Sequence, residues 1–161
     1  MKELIIVRHS KAENPNFNST DFDRKLTESG KTDAQNLSEY LASIVSSIDL
    51  IVASPAKRTF KTAKILSKKL NYPTDSILLE ESIYESTYTN ILKLISSLDN
   101  KYDRVLLCGH NPGLEDFVNY VTGNSYIQLK TSGMVYLKLN IEQWIECTEN
   151  TAEIIDKKNV G

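Results

Sequence analysis

The 161-residue chain has little cysteine and little histidine: Cys108 and Cys147 are the only cysteines, and His9 and His110 the only histidines. There is no C-x-x-C pair and no cysteine–histidine spacing of a zinc knuckle, so two reduced thiols are expected and no bound metal. Long apolar runs are missing as well. The first, Leu4 to Val7, is stopped by Arg8, which is too short for the core of a signal peptide or for a membrane span. The expected compartment is therefore the cytoplasm, with no membrane partner, and Asn18-Ser19-Thr20 reads as loop rather than as a glycosylation acceptor. An excess of one charge is also absent, because 19 Lys and Arg against 21 Asp and Glu leave a net charge of -2. That balance supplies no general field for nucleic acid, so none is expected as a partner and any anion site has to be local.

What is present is the composition of one globular domain, 40% hydrophobic and 25% charged, with no linker, repeat or low-complexity stretch. A chain of this size hides about 68–70% of its unfolded surface, enough for a core without disulfides or structural metal. A single domain over residues 1–161 is expected. Short apolar runs at Leu4–Val7, Leu50–Ala53, Val105–Cys108 and Val135–Leu139 have the length and aliphatic content of strands. The first three are continuous, as in central strands of a parallel sheet, whereas Val135–Leu139 partly alternates and is expected nearer an edge. Weaker strand signals lie at Trp144–Cys147 and Ala152–Ile155.

Between them the pattern is helical. From Thr27 to Val45 the residues Ala34, Leu37, Leu41 and Ile44 form one apolar stripe. Ser54-Pro55 reads as an N-cap and first helical residue opening a helix that buries Phe60, Ala63 and Leu70, and Asn111-Pro112 repeats the device. After it Leu114, Phe117, Val118 and Val121 follow at i, i+3, i+4 and i+7, with Gly123 as the stop. A shorter helix carries Ile91, Leu92, Ile95 and Leu98 before Asp99-Asn100. Alternating strands and helices of this kind imply an α/β fold, a three-layer sandwich with a central mostly parallel sheet flanked by helices.

Three of the strands end alike. The first runs into Arg8-His9-Ser10, the second into Ser54-Pro55 with Arg58 following, and the third into Gly109-His110-Asn111-Pro112-Gly113. Ligands of open parallel sheets bind beyond the carboxyl ends of the strands, so these loops are expected to converge on one cavity. Taken singly, each histidine reads as a hydrogen-bonded structural residue, each arginine as a solvated charge, and each Ser/Asn-Pro pair as a helix cap. Taken together, both histidines and two arginines at one sheet edge, beside helix N-termini, make a site for a dianionic phosphoryl group. Arg24 is a possible third guanidinium.

Other patterns fail. Gly30-Lys31-Thr32 lacks the first glycine of a P-loop, Asp21-Phe22-Asp23 has no strand before it to make a metal pair, and Cys108 has Leu114 where a cysteine phosphatase needs arginine. Cys108 is expected to be a buried apolar side chain.

Arg8-His9-Ser10 in the place of an RHG motif, Arg58 within Ser54-Pro55-Ala56-Lys57-Arg58-Thr59, and Gly109-His110-Asn111-Pro112 resemble the histidine phosphatase superfamily, whose fold is phosphoglycerate mutase-like. Arg24-Lys25-Leu26-Thr27 with Gly30, and Thr131-Ser132-Gly133 before a late strand, are similar to its small SixA-like phosphohistidine phosphatase branch, over about positions 3 to 139. The resemblance implies that His9 attacks phosphorus and is transiently phosphorylated, with Arg8, Arg58 and His110 around the transferring group. It implies Arg24, Ser10 and Asn111 as substrate-binding residues, and neither metal nor cofactor. Ester-cleaving relatives protonate the leaving group with a carboxylic acid. Glu80, Glu81 and Glu85 lie where one would be sought, Glu81 foremost, but match no pattern. The leading expectation is thus a monomeric phosphatase of phosphohistidine on a signalling or phosphotransfer protein. A phosphatase of small phosphate esters and a non-catalytic phosphate-binding domain are the alternatives.

Overall fold

The four apolar runs become neighbouring strands of one sheet. The computed structural model describes residues 1–124 and 126–160. Strands β1 (Lys2–Arg8), β2 (Leu50–Ala53), β3 (Leu78–Leu79), β4 (Arg104–Gly109), β5 (Gly133–Leu139) and β6 (Ala152–Asn159) are ordered β3-β2-β4-β1-β5-β6. The pairs β3/β2, β2/β4 and β4/β1 are parallel, while β5 and β6 are added antiparallel. Helices α1 (Glu28–Ile44), α2 (Lys57–Lys69), α3 (Tyr88–Ser96) and α4 (Gly113–Thr122) supply the outer layers.

The runs Leu4–Val7, Leu50–Ala53 and Val105–Cys108 of the central strands are apolar throughout because both faces are covered. Ile5, Val7, Ile51, Leu106 and Cys108 pack with Leu37, Leu41, Ala63 and Leu66 of α1 and α2. Their sequence neighbours Leu4, Ile6, Val52, Val105 and Leu107 point the opposite way, onto Ile91, Ile95, Leu114, Phe117 and Val118 of α3 and α4. The period of two along a strand thus divides the apolar side chains between two cores. Connections from β1 outward to β3 run over one face, and the return through α3 uses the other, as right-handed crossovers require.

Val135–Leu139 is one strand in from the edge, between β1 and β6, in keeping with its partial alternation. Several other local expectations change. The edge is β6, whose alternating charged residues weakened its own signal. Trp144–Glu146 is a 3-10 turn and not a strand, with the Trp144 ring fully buried and its Nε1–H donating to the Tyr102 carbonyl at 2.8 Å. Helix α2 begins at Lys57 with Ala56 as N-cap, and α4 begins at Gly113 with Pro112 as N-cap, so neither proline is the first helical residue. Ile44, in the last turn of α1, is partly exposed. Gly123 adopts the left-handed conformation expected of the α4 stop (φ 73°).

The register of the parallel strands fixes one edge. Arg8 stands opposite Gly109, and Ala53 opposite Cys108. The ladder continues one step into the loops, with His9 N–H donating to the Gly109 carbonyl and Ser54 N–H to the Cys108 carbonyl, both at 3.1 Å. Residues 9, 54 and 110 therefore leave the sheet at one level. On the far side, Ser132 N–H donates to the His9 carbonyl at 3.2 Å.

The loop after β1 is anchored on α1. Thr27 N–H donates to the Lys11 carbonyl at 3.0 Å, and the Thr27 hydroxyl accepts from Gly30 N–H at 2.9 Å as the helix N-cap. A Cβ on Gly30 would fall 2.2 Å from the Lys11 carbonyl oxygen. Gly30→Ala is therefore expected to destabilise the chain by about 1–3 kcal/mol through backbone displacement. A lowered denaturant midpoint at constant slope checks this, and an unchanged midpoint contradicts it.

Candidate active site

Beyond the carboxyl ends of β1, β2 and β4 lies a cavity of about 400 Å³. Arg8, His9, Arg24, Arg58, His110 and Asn111 line it, together with Lys11, Asp21, Glu85 and Thr131.

His9 leaves β1 with 9% of its surface exposed. Its Nδ1 is 2.7 Å from the Ser10 carbonyl oxygen. A carbonyl only accepts, so Nδ1 carries the proton and Nε2 holds the free lone pair. Burial pulls the His9 pKa down to about 4, the Ser10 carbonyl opposes this, and the charges of Arg58, Arg8 and Arg24 add to the downward push. The imidazole is neutral at physiological pH.

The His110 ring lies 5.3 Å from that of His9, tilted by 56°. Its Nδ1 faces Arg58 Nη2 at 3.3 Å, and its Nε2 faces Ser54 Oγ at 2.7 Å. A guanidinium only donates, so Nδ1 accepts and Nε2–H donates to Ser54. Burial, then His9 and Arg58, lower the His110 pKa to about 3. Ser54 also accepts from Ala56 N–H at 3.3 Å. The serine expected as a helix cap thus orients a histidine.

Arg58 enters from the first turn of α2 and is 4% exposed. Its Nη1 donates to the Asp21 carbonyl at 2.7 Å and its Nη2 to Asp21 Oδ2 at 3.1 Å. Arg8 Nη1 donates to the Leu129 carbonyl at 3.2 Å. Burial lowers the Arg8 pKa, with Glu115 opposing. The Nε–H groups of both arginines are buried and, among the described residues, lack an acceptor. Two arginines that line one cavity and each keep an orphaned donor fit a bound anion, because buried polar groups in native structures are otherwise partnered.

Asp21, set aside in the sequence as a failed metal ligand, organises this wall. Its carboxylate receives Arg24 Nε at 3.0 Å, Arg58 Nη2 at 3.1 Å and the Tyr84 hydroxyl at 2.7 Å. Burial pushes its pKa up, but the Tyr84 hydrogen bond and the two arginines outweigh this and hold it at about 2. Asp21 is therefore ionised and fully engaged. Tyr84, with its hydroxyl pushed up to about 12 by burial and by Asp21, stands edge-on to His110 and to Phe22. The signal available in the sequence was the Asp21–Arg24 spacing of three, which lets the pair meet across one turn.

Asn111 is placed by two hydrogen bonds, Nδ2–H to the Leu129 carbonyl at 2.8 Å and Oδ1 from Glu115 N–H at 3.3 Å. Two expected residues lie elsewhere. Ser10 is fully buried, with its hydroxyl against that of Ser132 and its N–H on Thr62 Oγ1. It does not line the cavity. Glu81 is exposed in the 3-10 turn Glu81–Ile83 and is not among the lining residues, whereas Glu85 is, with φ of 52°. Cys108 is fully buried beneath the sheet edge, its thiol pKa raised by burial. Among the described residues, no three His, Cys, Asp or Glu side chains cluster as metal ligands, and no helix is long and apolar enough to cross a membrane.

A family model, histidine phosphatase superfamily (branch 1), matches residues 4–94. An uncharacterised chloroplastic protein of Arabidopsis thaliana is 27% identical, the match covering 90% of this chain and 70% of that protein. Among solved structures, a candidate phosphohistidine phosphatase SixA of Agrobacterium tumefaciens superposes with a TM-score of 0.83 at 25% identity, covering 98% of this chain and 97% of the other. The protein histidine phosphatase SixA complexed with tungstate gives 0.82 at 19% identity, covering 96% and 95%. A mycobacterial glucosyl-3-phosphoglycerate phosphatase gives 0.73 at 13% identity, covering 97% and 98%.

The two imidazoles provide a direct check of the electrostatics. Their depressed pKa values mean that protonation favours the unfolded chain. Their stabilisation is complete above the ordinary histidine pKa near 6.5 and is lost as pH falls toward about 4 and about 3. Imidazole NMR titration of the free protein is expected to show both rings neutral at pH 6, and midpoints near 6.5 would contradict the site described.

Proposed function

The chain belongs to the histidine phosphatase superfamily, and we propose that within it this protein is a metal-independent phosphatase of phosphohistidine on a signalling or phosphotransfer protein. The observation that carries the reading is the neutral His9, with Nε2 free, in a cavity lined by Arg8 and Arg58, whose Nε–H groups lack acceptors. A phosphoryl oxygen supplies the acceptors those donors lack, and their charge is matched to the transferring group.

In the first step His9 Nε2 attacks phosphorus, the phosphorus–nitrogen bond of the substrate breaks, and the protonated substrate imidazole leaves as neutral histidine. His9, phosphorylated on Nε2 and still protonated on Nδ1, is then a cationic ring, which the Ser10 carbonyl stabilises through the 2.7 Å contact. In the second step water attacks phosphorus, the bond to Nε2 breaks, and phosphate departs with the water's proton balance passing to solvent. Arg8 and Arg58 hold the phosphoryl oxygens throughout, Arg24 and Asn111 reach its periphery, and His110 stands beside the transferring group, its Nδ1 accepting from Arg58 and its Nε2–H donating to Ser54. Asp21 is a positioning residue for Arg24 and Arg58.

The carboxylates favour phosphohistidine over an ester. An alkoxide needs a proton in the transition state, whereas a protonated imidazole leaves unaided. Asp21, held at about 2 and fully engaged, has no proton to give. The likeness to the Agrobacterium protein supports the same substrate class. A small-ester phosphatase remains the second reading because Glu85 lines the cavity in a left-handed conformation, the kind of strain that gathers at functional positions.

The test is phosphate release, with chelator present, from a histidine-phosphorylated peptide and from an aryl phosphate. Turnover of the peptide is expected to vanish in His9→Ala and to fall about 10²–10³-fold in Arg58→Ala. Glu85→Gln is expected to leave it unchanged. Preference for the aryl ester, lost in Glu85→Gln, would instead establish the second reading.

A further inference from the structure

Helix α2, KRTFKTAKILSKK, carries five lysines and an arginine and no acidic residue. Arg58 turns inward to the cavity. Lys57, Lys61, Lys68 and Lys69 are exposed, and Lys64 lies with its Nζ 4.1 Å over the Phe60 ring. The arrangement works against the helix itself. Lys57, Lys61, Lys64 and Lys68 follow at steps of four, three and four, where like charges repel. Lys57 also stands at the positive end of the helix dipole. In a chain of net charge -2, such a concentration on one face is not inherited from overall composition.

The lysines line a groove between α1 and α2. Its first part, about 520 Å³, has Leu26 and Phe60 as apolar lining and Lys25, Lys31, Lys57, Lys61 and Lys64 around them, against Glu13 and Glu28. A second hollow of about 460 Å³ shares Lys31 and Lys61 and runs on to Lys68 and Lys69. Lys31 pairs with Glu28 at 3.1 Å and Lys57 with Asp23 at 3.6 Å. Lys25, Lys61, Lys64, Lys68 and Lys69 make no ion pair among the described residues.

This groove adjoins the active-site cavity across one layer of backbone. Ala12 and Leu26 pair as an isolated bridge. Ala12 and Arg24 line the cavity, while Glu13, Lys25 and Leu26 line the groove. The alternation is repeated at α2, where Arg58 faces the cavity and Lys57 the groove. A ligand with its phosphoryl group on His9 therefore has the groove on the other side of that one layer of backbone.

We propose that the α1–α2 groove docks an acidic segment of the phosphohistidine-bearing protein, so that carboxylates flanking the phosphohistidine meet the unpaired lysines. This rests on the substrate class proposed above. Lysines are point charges suited to carboxylates, and the groove has neither the arginine forks nor the stacked aromatic platform expected for a nucleic-acid strand.

The experiment uses two synthetic peptides, each with one phosphohistidine, flanked by glutamates in one and by glutamines in the other. The wild-type chain is expected to favour the glutamate peptide by about tenfold or more in kcat/KM at low salt, through KM. That preference should fade at about 0.5 M salt. Lys61→Glu combined with Lys64→Glu, both surface positions, is expected to abolish the preference and leave turnover of the glutamine peptide unchanged. Equal kcat/KM for the two peptides, or a preference that survives the charge reversal, overturns the proposal. Fluorescence anisotropy of the unphosphorylated peptides tests docking without catalysis. Salt-sensitive, lysine-dependent binding of the glutamate form supports the groove even if neither peptide is hydrolysed, an outcome that would refute only the substrate class. Equal binding of both forms, or tighter binding of a single-stranded oligonucleotide, refutes the groove itself.

Discussion

The register between β1, β4 and β2 is the constraint on which the site depends. Arg8 opposite Gly109, and Ala53 opposite Cys108, bring the loops that follow to one level. A slip of one residue would exchange the two faces of a strand, sending its apolar side chains to the wrong core and carrying His9 away from His110. The same burial that drives folding therefore sets a 5.3 Å separation between two imidazole rings. The geometry of the site is a by-product of core packing here, and the loops need add only local aim.

That aim is supplied by unequal electrostatic compensation. Arg8, Arg24 and Arg58 gather on one cavity with Asp21 as the carboxylate that binds two of them. Neither histidine adds charge, since burial and the guanidiniums hold both well below their ordinary pKa. The cavity is left with surplus positive charge and buried donors that lack acceptors. Such a wall costs stability in the free protein and is organised before substrate arrives, the arrangement expected where transition-state charge is to be stabilised. The lysines of α2 extend positive charge outward along the adjoining groove.

Much of this was legible in the residues themselves. Leu50–Ala53 was bounded correctly because a short aliphatic run between polar turns has few alternatives, and the end of α4 because its apolar period and Gly123 agree. Arg8, His9, Arg58 and His110 converge because strand ends in parallel sheets converge. What escaped depended on contacts between distant segments. Ser54 looked like a cap because local propensity is all that a sequence displays, yet its hydroxyl meets His110, 56 residues away. Glu85 rather than Glu81 faces the cavity because the intervening 3-10 turn sets the phase, and no periodic signal announces so short an element. Asp21 lay in a polar loop whose path only Arg58 and Tyr84 reveal.

The central claim is that His9 Nε2, unprotonated and unobstructed, takes the phosphoryl group onto the chain. Rapid acid-free quenching of a single turnover with a radiolabelled phosphohistidine peptide measures this most directly. The account predicts label on the protein that is stable to base, labile to acid, located by fragmentation at His9 and absent from His9→Ala. Release of labelled phosphate at full rate with no label ever on His9 would contradict it.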